Sequence, residues 1–339
     1  MEHVYDLVIV GGGPAGLSAA INGASELPRV ALCDSGRKNL ELPGAYIRQL
    51  GGQAIGSTAI ENYPGFPGPI TGCDLMQRFE AQAIRMGTEI FCPHHVDSLK
   101  QLPDGLKCVT TREGAQLLTR TVLVTSGLSY NKLPAPGVET LLGRGVLYGS
   151  PTYAADTLGA CTVCIVGAAN SAGQAVMHLA QSSNINIKLL VRGQKTIEDQ
   201  MSAYLVKRIR ACPQVEVLQD RGVIEAIGTE RLEAVRVKTS DGKEEMISTD
   251  HLFIYIGASP KAKWLDGTVT RDDRNFIPTG SDLGPYLGRR LAYETSMSGV
   301  FAAGDIRRTS VKRVASAVGE GGAVLASIHQ YLAEMEKRT

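Results

Sequence analysis

Short apolar runs that stop abruptly at glycine set the pattern of this chain. Tyr5 to Val10 is mostly apolar and ends at Gly11, which predicts a buried strand. A helix is expected from about Pro14 to Ser25, because a first-turn proline lacks only an amide that needs no intrahelical acceptor. Val30 to Cys33 is a second apolar run, closed by Asp34, and completes the opening of a βαβ unit. Ser35 to Gly72 is rich in Gly, Pro and Asn and reads as loop. Cys73 to Met86 puts Leu75, Phe79 and Ala83 on one face of a helix. Strands follow at Glu89–Phe91, Asp97–Gln101, Lys107–Thr111 and Thr121–Thr125, the last running into Ser126-Gly127.

The same grammar then repeats. Thr162–Val166 is a strand ending at Gly167, with a helix to about Gln181 and a second strand at Ile187–Val191. Met201–Arg210 reads as helix, Val215–Leu218 and Leu232–Thr239 as strands, and Asp241-Gly242 as a hairpin turn. Leu252–Ile256 returns to the sheet, and Val300–Ala303 is a last strand before Gly304-Asp305. The final helix is expected over Lys312 to Met335, with Val314, Ala317 and Val318 on its apolar side. The expected fold is α/β, with two Rossmann-like three-layer nucleotide-binding domains joined by a two-strand hinge, the second inserted in the first. The expected boundaries are 1–117 with 290–339 for the first domain and 118–289 for the second.

Composition narrows the class. The chain has 339 residues, 43% of them hydrophobic, so a large core can be buried. Its net charge of +1 and lack of a basic block argue against a nucleic-acid partner. The first residues carry acids and no positive leader, and no apolar run reaches the roughly 18 residues that span a bilayer. The expectation is a cytoplasmic protein without a membrane partner. Seven scattered cysteines do not resemble a secreted disulfide scaffold.

Gly11, Gly13 and Gly16 form G-x-G-x-x-G after a strand and at the start of a helix. Gly11 permits the tight turn, Gly13 lets a pyrophosphate approach the backbone, and Gly16 allows close packing of helix on strand. The phosphates would meet the free amides of the helix N-terminus, where Pro14 opens the first turn and Ala15 and Gly16 carry N–H groups, and Asp34, with Ser35 beside it, would meet adenosine-ribose hydroxyls.

Further blocks fall in a telling order: Gly51-Gly52-Gln53, Glu61-Asn62-Tyr63-Pro64-Gly65, Thr125-Ser126-Gly127, Ile256-Gly257-Ala258-Ser259-Pro260 and Gly304-Asp305. Over almost its whole length the chain resembles the low-molecular-weight thioredoxin reductases, the class II pyridine nucleotide-disulfide oxidoreductases. The resemblance implies a homodimer with FAD extended across the first domain. It implies that Gly52 and Gln53 lie near ribityl or pyrophosphate groups, that Asn62 approaches the isoalloxazine, and that the Val96 backbone meets adenine. It further implies that Ser126 and Gly127 lie at the cofactor, that Asp305 after Gly304 binds the ribityl or phosphate region, and that Arg313 and Val314 hold the pyrimidine edge. Read singly, Asn62 to Gly65 also suits a turn, and Asp305 a helix cap.

The resemblance fails where such reductases carry their active C-x-x-C. Gly145-Val146-Leu147-Tyr148 is followed by Gly149, Ser150, Pro151 and Thr152, none of which forms a disulfide. Cys161 and Cys164 have the spacing but lie on one expected strand. Three extended steps separate their α-carbons by roughly 10 Å, beyond the ~7 Å limit of a disulfide. The second phosphate motif reads Gly167-Ala168-Ala169-Asn170-Ser171-Ala172, with a methyl at the position of closest approach. Arg192-Gly193-Gln194, then Lys195, stands where the resemblance implies a His-Arg-Arg clamp for a 2′-phosphate.

The reading is therefore an FAD-dependent oxidoreductase without the reductase's cysteine pair and with no named catalytic residue. NADP or a second FAD stays open for the second domain, and a redox protein or small molecule for the acceptor. A two-flavin or ferredoxin-linked relative and a non-catalytic flavin sensor are the alternatives. His94 and His95 adjoin the adenine position and are expected to serve packing or surface.

Overall fold

The computed structural model describes residues 4–38, 46–57, 60, 62–149, 158–284 and 290–337. Glu61, Ser150, Pro151 and Thr152 lie outside the described residues. The chain divides into two compact units, Met1–Ser129 with Ser259–Thr339 and Tyr130–Ala258. It passes from one to the other on two short strands that pair, Leu128–Tyr130 and Ala258–Pro260.

The first unit is built on β1 (Val4–Val10), α1 (Pro14–Glu26), β2 (Val30–Cys33), α2 (Gly72–Arg85), β3 (Glu89–Phe91), β4 (Val96–Gln101), β5 (Lys107–Thr111) and β6 (Gln116–Val124). Its sheet runs β3-β2-β1-β6-β5-β4. The β3-β2-β1-β6 run is parallel, with Leu7 beside Val30 and Val8 beside Val122, whereas β4 and β5 are antiparallel additions. Parallel central strands are covered on both faces and so consist of unbroken apolar residues. Leu7, Val8, Ile9, Leu32, Leu123 and Val124 are all fully buried. On one face α1 packs through Leu17, Ala19 and Ala20 against Val324, Leu325 and Ile328 of the last helix.

β6 begins at Gln116, five residues before the expected Thr121, and pairs in parallel with β1 through Val4↔Leu118. The expected exchange points at 117/118 and 289/290 thus lie inside the first unit, because β6 cannot leave a sheet whose centre it forms.

The second unit holds β7 (Val146–Tyr148), β8 (Cys161–Val166), α3 (Asn170–Leu179), β9 (Ile185–Val191), α4 (Ala203–Arg210) and β10 (Val215–Gln219). β11 (Gly222–Ile227), β12 (Ala234–Lys238) and β13 (Glu244–Ser248) follow, then β14 (His251–Ile254). The parallel sheet is ordered β7-β14-β8-β9-β10, beside an antiparallel sheet β11-β12-β13. The helix expected over Met201–Arg210 begins two residues later, at Ala203, after a separate turn, Ile197–Gln200, that ends at extended Met201.

Back in the first unit, β15 (Val300–Ala302) pairs with β6, and α5 (Val314–Glu336) closes the chain. α5 starts at Val314 rather than Lys312. Lys312 Nζ donates instead to the carbonyls of Asp305 (2.7 Å) and Arg307 (3.1 Å), which holds residues 305–312 as a strap. Among the described residues no helix is long and apolar enough to cross a membrane, and no His, Cys, Asp and Glu cluster could hold a metal ion.

Candidate nucleotide site

The turn from β1 to α1 is tightly determined. Gly11 has φ of +114°, and a Cβ there would lie 2.5 Å from Thr125 O. A Cβ on Gly16 would overlap Gly11 O. Gly13 differs: it is the N-cap residue in an extended conformation, and a Cβ on it would meet no protein atom within 4 Å. With Pro14 at the first helical position and no side chain capping the helix, the free amides of the first turn, Ala15 and Gly16 among them, face a space that no described residue fills. Helix termini of this kind attract anions through aligned N–H groups and the helix dipole.

Asp34 binds this turn directly. Its Oδ2 accepts from Gly12 N–H at 2.6 Å and its Oδ1 from Gly36 N–H at 2.8 Å. Burial raises its carboxyl above the usual range; the two amides, Lys261 and His95 pull the other way. Beside it lies a cavity of about 170 Å³ lined by Asp34, Ser35, His94, Val96, Ser126 and Trp264, among others. Whole-ligand pockets typically exceed roughly 300 Å³, so this space suits one end of an extended molecule. His94 Nδ1 is buried there with no hydrogen-bond partner among the described residues. Both His94 and His95 line the cavity, next to Val96. Ser35 Oγ makes a long contact with Gly36 O at 3.4 Å, and Ser126 Oγ donates to Lys261 O at 2.8 Å.

Other expected positions assemble around the same helix end. Gly52, at φ +56°, comes close enough to Gly13 that a Cβ would lie 3.4 Å from its Cα. Gln53 Nε2 donates to Leu128 O at 2.9 Å, just beyond Gly127 in its left-handed turn (φ +61°). Gly304, at φ +76°, would place a Cβ 2.8 Å from Ala15 Cβ. Burial raises the carboxyl of its neighbour Asp305, opposed by Lys312, and it accepts no hydrogen bond among the described residues. Arg313 is the N-cap of α5 without a side-chain cap bond, and Val314 is its first residue, packed at the edge of the core. Asn62 stands apart, in an open groove of about 480 Å³ with Tyr63, Pro64, Gly65, Phe66 and Pro67.

The sequence marks Thr125 only as part of a motif block, without its contacts, and does not mark Glu320 or Arg307 as site residues. Thr125 Oγ1 contacts Val10 O (3.1 Å) and Gly11 O (2.8 Å), tying β6 to the phosphate turn. Glu320 and Arg307 form a half-buried ion pair at 2.8 Å. Burial raises the Glu320 carboxyl, but Arg307 and the Gly304 amide outweigh it and hold the group below its ordinary value. No spacing rule marks these contacts, since each joins residues from different elements.

In the second unit Gly167 (φ +140°) repeats the turn of Gly11, and a Cβ there would lie 2.5 Å from Tyr255 O. Ala169 is the N-cap of α3, again without a capping side chain. Asn170 Oδ1 accepts from Ser202 N–H at 2.8 Å, and Gln219 Nε2 holds the carbonyls of Gly193 and Lys195 at 2.8 and 2.9 Å.

The family model of pyridine nucleotide-disulphide oxidoreductases matches residues 5–321, a span that takes in both glycine turns and the Gly304 strap. The chain belongs to that family. Among the relatives of this oxidoreductase, the thioredoxin reductase of Peptoclostridium litorale is 28% identical over 339 residues, covering 99% of each chain. That of Bacillus subtilis (strain 168) is 28% identical over 345 residues, covering 99% and 97%. The crystal structure of thioredoxin reductase from Streptococcus pyogenes MGAS5005 matches with a TM-score of 0.72 at 26% identity, over 98% of this chain and 100% of that one. The T. acidophilum enzyme gives 0.70 at 26%, over 98% and 100%. A member of this family is an FAD-dependent oxidoreductase. The uncapped α1 terminus, the open space over Gly13 and the orphaned His94 Nδ1 beside Asp34 fit such a dinucleotide.

All seven cysteines of this family member are free thiols. Burial pushes Cys33 up to about 12, and Cys92 and Cys164 up to about 11. Thiolate is the reactive form, and at pH 8 it amounts to roughly one part in a thousand or less at these three sites. A thiol reagent should therefore titrate at most four of the seven (seven less these three) before denaturant is added. Rapid reaction of Cys33, Cys92 or Cys164 in native protein would contradict this placement.

Proposed function

We propose that the chain is an FAD-dependent oxidoreductase of the thioredoxin reductase type that works without a redox-active cysteine pair. FAD occupies the first unit of a homodimer, and a pyridine nucleotide at the start of α3 is the electron donor. The acceptor, a redox protein or a small molecule, meets the flavin directly. When bound, FAD supplies the two-electron chemistry. The residues around it bind, orient and exclude water: the amides of α1 hold phosphate, Asp34 accepts from ribose, and Asp305 accepts from ribityl hydroxyls.

One position carries the proposal. Gly149 stands where the first cysteine of the reductase pair would stand, and its φ is +71°. A Cβ there would lie 2.5 Å from Tyr130 Oη, and that ring is stacked on Tyr148 at 6.1 Å. The site is thus unsuited to any β-carbon, cysteine's included. Cys161 and Cys164 offer no substitute, since both lie along β8, in register with Ile185 and Lys188.

Anaerobic titration with NADPH or NADH, with thiols counted before and after, tests the proposal. The expected result is bleaching of the flavin with an unchanged thiol count. Appearance of a new thiol pair per chain would restore a disulfide mechanism, and absence of bleaching at millimolar nucleotide would remove the nucleotide donor.

A further inference from the structure

Glu320 lies on the second turn of α5, and its carboxylate is shared three ways. Oε2 accepts from Gly304 N–H at 2.7 Å and from Arg307 Nε at 3.1 Å, and Oε1 accepts from Arg307 Nη2 at 2.8 Å. Arg307 is fixed on its other sides. Its Nη1 donates to Thr309 Oγ1 at 2.6 Å, Thr309 donates on to Asp282 at 3.1 Å, and the guanidinium lies 5.3 Å from the Tyr293 ring centre. The two side chains are 16% and 11% exposed.

This cluster lies where three segments converge. Gly304 packs on Ala15 in the first turn of α1, and Gly321, next to Glu320, is so close to Ala15 O that a Cβ would overlap it. One carboxylate therefore fastens the 304–307 turn to α5 beside the phosphate-binding terminus of α1. Asp305 is the next residue along that turn, and its carboxylate has no protein donor of its own among the described residues. A half-buried ion pair is weak evidence for stability, since apolar replacement of both partners is often neutral. Its value here is geometric: without the Glu320 acceptor, nothing else described fixes the Gly304 amide.

We propose that Glu320, held by Arg307, is a positioning residue that sets Gly304 and Asp305 for the ribityl–phosphate part of FAD. The proposal rests on the reading that FAD occupies the first unit. It makes the cofactor's grip depend on a residue that touches no cofactor atom, acting through the turn it holds.

The test compares wild type, E320Q, E320L and the double variant R307L/E320L, reading the FAD dissociation constant, the flavin midpoint potential and the melting of the apoprotein. E320L strands the guanidinium, whereas the double variant leaves no unpaired charge and keeps an apolar contact. If E320L does not fold, E320Q and the double variant carry the test. The expected result is a dissociation constant raised about 10- to 100-fold in E320L and in the double variant. E320Q, which keeps an oxygen for Gly304 N–H, falls between. The midpoint potential shifts in the double variant although its apoprotein melts as wild type does. If the double variant binds FAD like wild type, with an unchanged potential, the pair is a structural ion pair and the proposal is overturned. Wild type that binds no FAD at all would instead remove the underlying flavin reading, and the proposal with it.

Discussion

Replacing Gly16 by alanine abolishes FAD retention, reducing flavin per chain from one to less than about a tenth. The new methyl would overlap Gly11 O and come within 2.8 Å of Thr125 Oγ1. Neither neighbour can yield cheaply. Gly11 is held in its turn by its own N–H bond to Cys33 O at 2.8 Å, and Thr125 is bonded to Val10 O and Gly11 O. Overpacking a rigid site typically costs about 1–3 kcal/mol, and here relief requires lifting the first turn of α1 from β1. That motion carries away the amides on which the phosphates depend. Gly13→Ala is the control, because its methyl meets no protein atom and its φ of −79° suits alanine. It should leave apoprotein melting unchanged while weakening FAD, since the methyl occupies the cofactor's approach. Equal flavin content in wild type and Gly16→Ala would contradict this account of the turn.

Asp34→Ala is expected to weaken FAD binding by about a hundredfold or more. Two amides, Gly12 and Gly36, lose their acceptor, and each bond to a charged group contributes about 1.5–3 kcal/mol. The wild-type carboxyl also predicts a pH dependence. Its folded apoprotein value is raised by burial. For the apoprotein, the sign is that this contribution to stability is full below the unfolded value, near 4, and is lost as pH rises through the folded value. Ribose hydroxyls favour the ionised acceptor, so bound FAD lowers the value again and binding releases a proton. FAD affinity should therefore fall on acidification through the raised apoprotein value, by at most about tenfold per pH unit. Asp34→Asn should flatten that slope. A wild-type dissociation constant independent of pH across this window would show that Asp34 takes no part in binding.

The elements that the sequence made legible are those with one dominant signal. β1, α1 and β2 are short apolar runs punctuated by glycine and proline, and each lies within a residue or two of expectation. α2 was marked by its helical spacing, with Leu75 and Ala83 buried and Phe79 set against Tyr63. What escaped notice carries mixed signals. In the first half of β6, Gln116 to Arg120, burial alternates but residue type does not follow it, since Thr119 is buried and Leu118 is only partly so. β13 is an edge strand, Glu244-Glu245-Met246-Ile247-Ser248, with only Ile247 buried, and its composition suggests loop. Lys312 and Arg313 read as helix by composition, yet contacts seven and five residues back draw Lys312 into the strap.

The candidate site divides in the same way. Glycines whose φ or crowding excludes a side chain, such as Gly11 and Gly16, are readable from a motif. Asp34 was readable as an acid at the end of β2, but not its bonds to Gly12 and Gly36. His94 and His95 looked peripheral in sequence because the cavity they line is closed by Lys261 and Trp264, far away along the chain. Glu320 was invisible for the same reason: its partners are 13 and 16 residues away, across a strap with no regular period.

The most direct test of the flavin reading is release and chromatographic quantification of the nucleotides carried by the purified protein. One FAD per chain is the expected yield, with none at the start of α3, where a pyridine nucleotide should bind reversibly. Two flavins per chain would contradict the assignment of the second unit. A colourless protein that takes up no FAD on reconstitution would contradict the role given to the α1 terminus, and with it the whole functional reading.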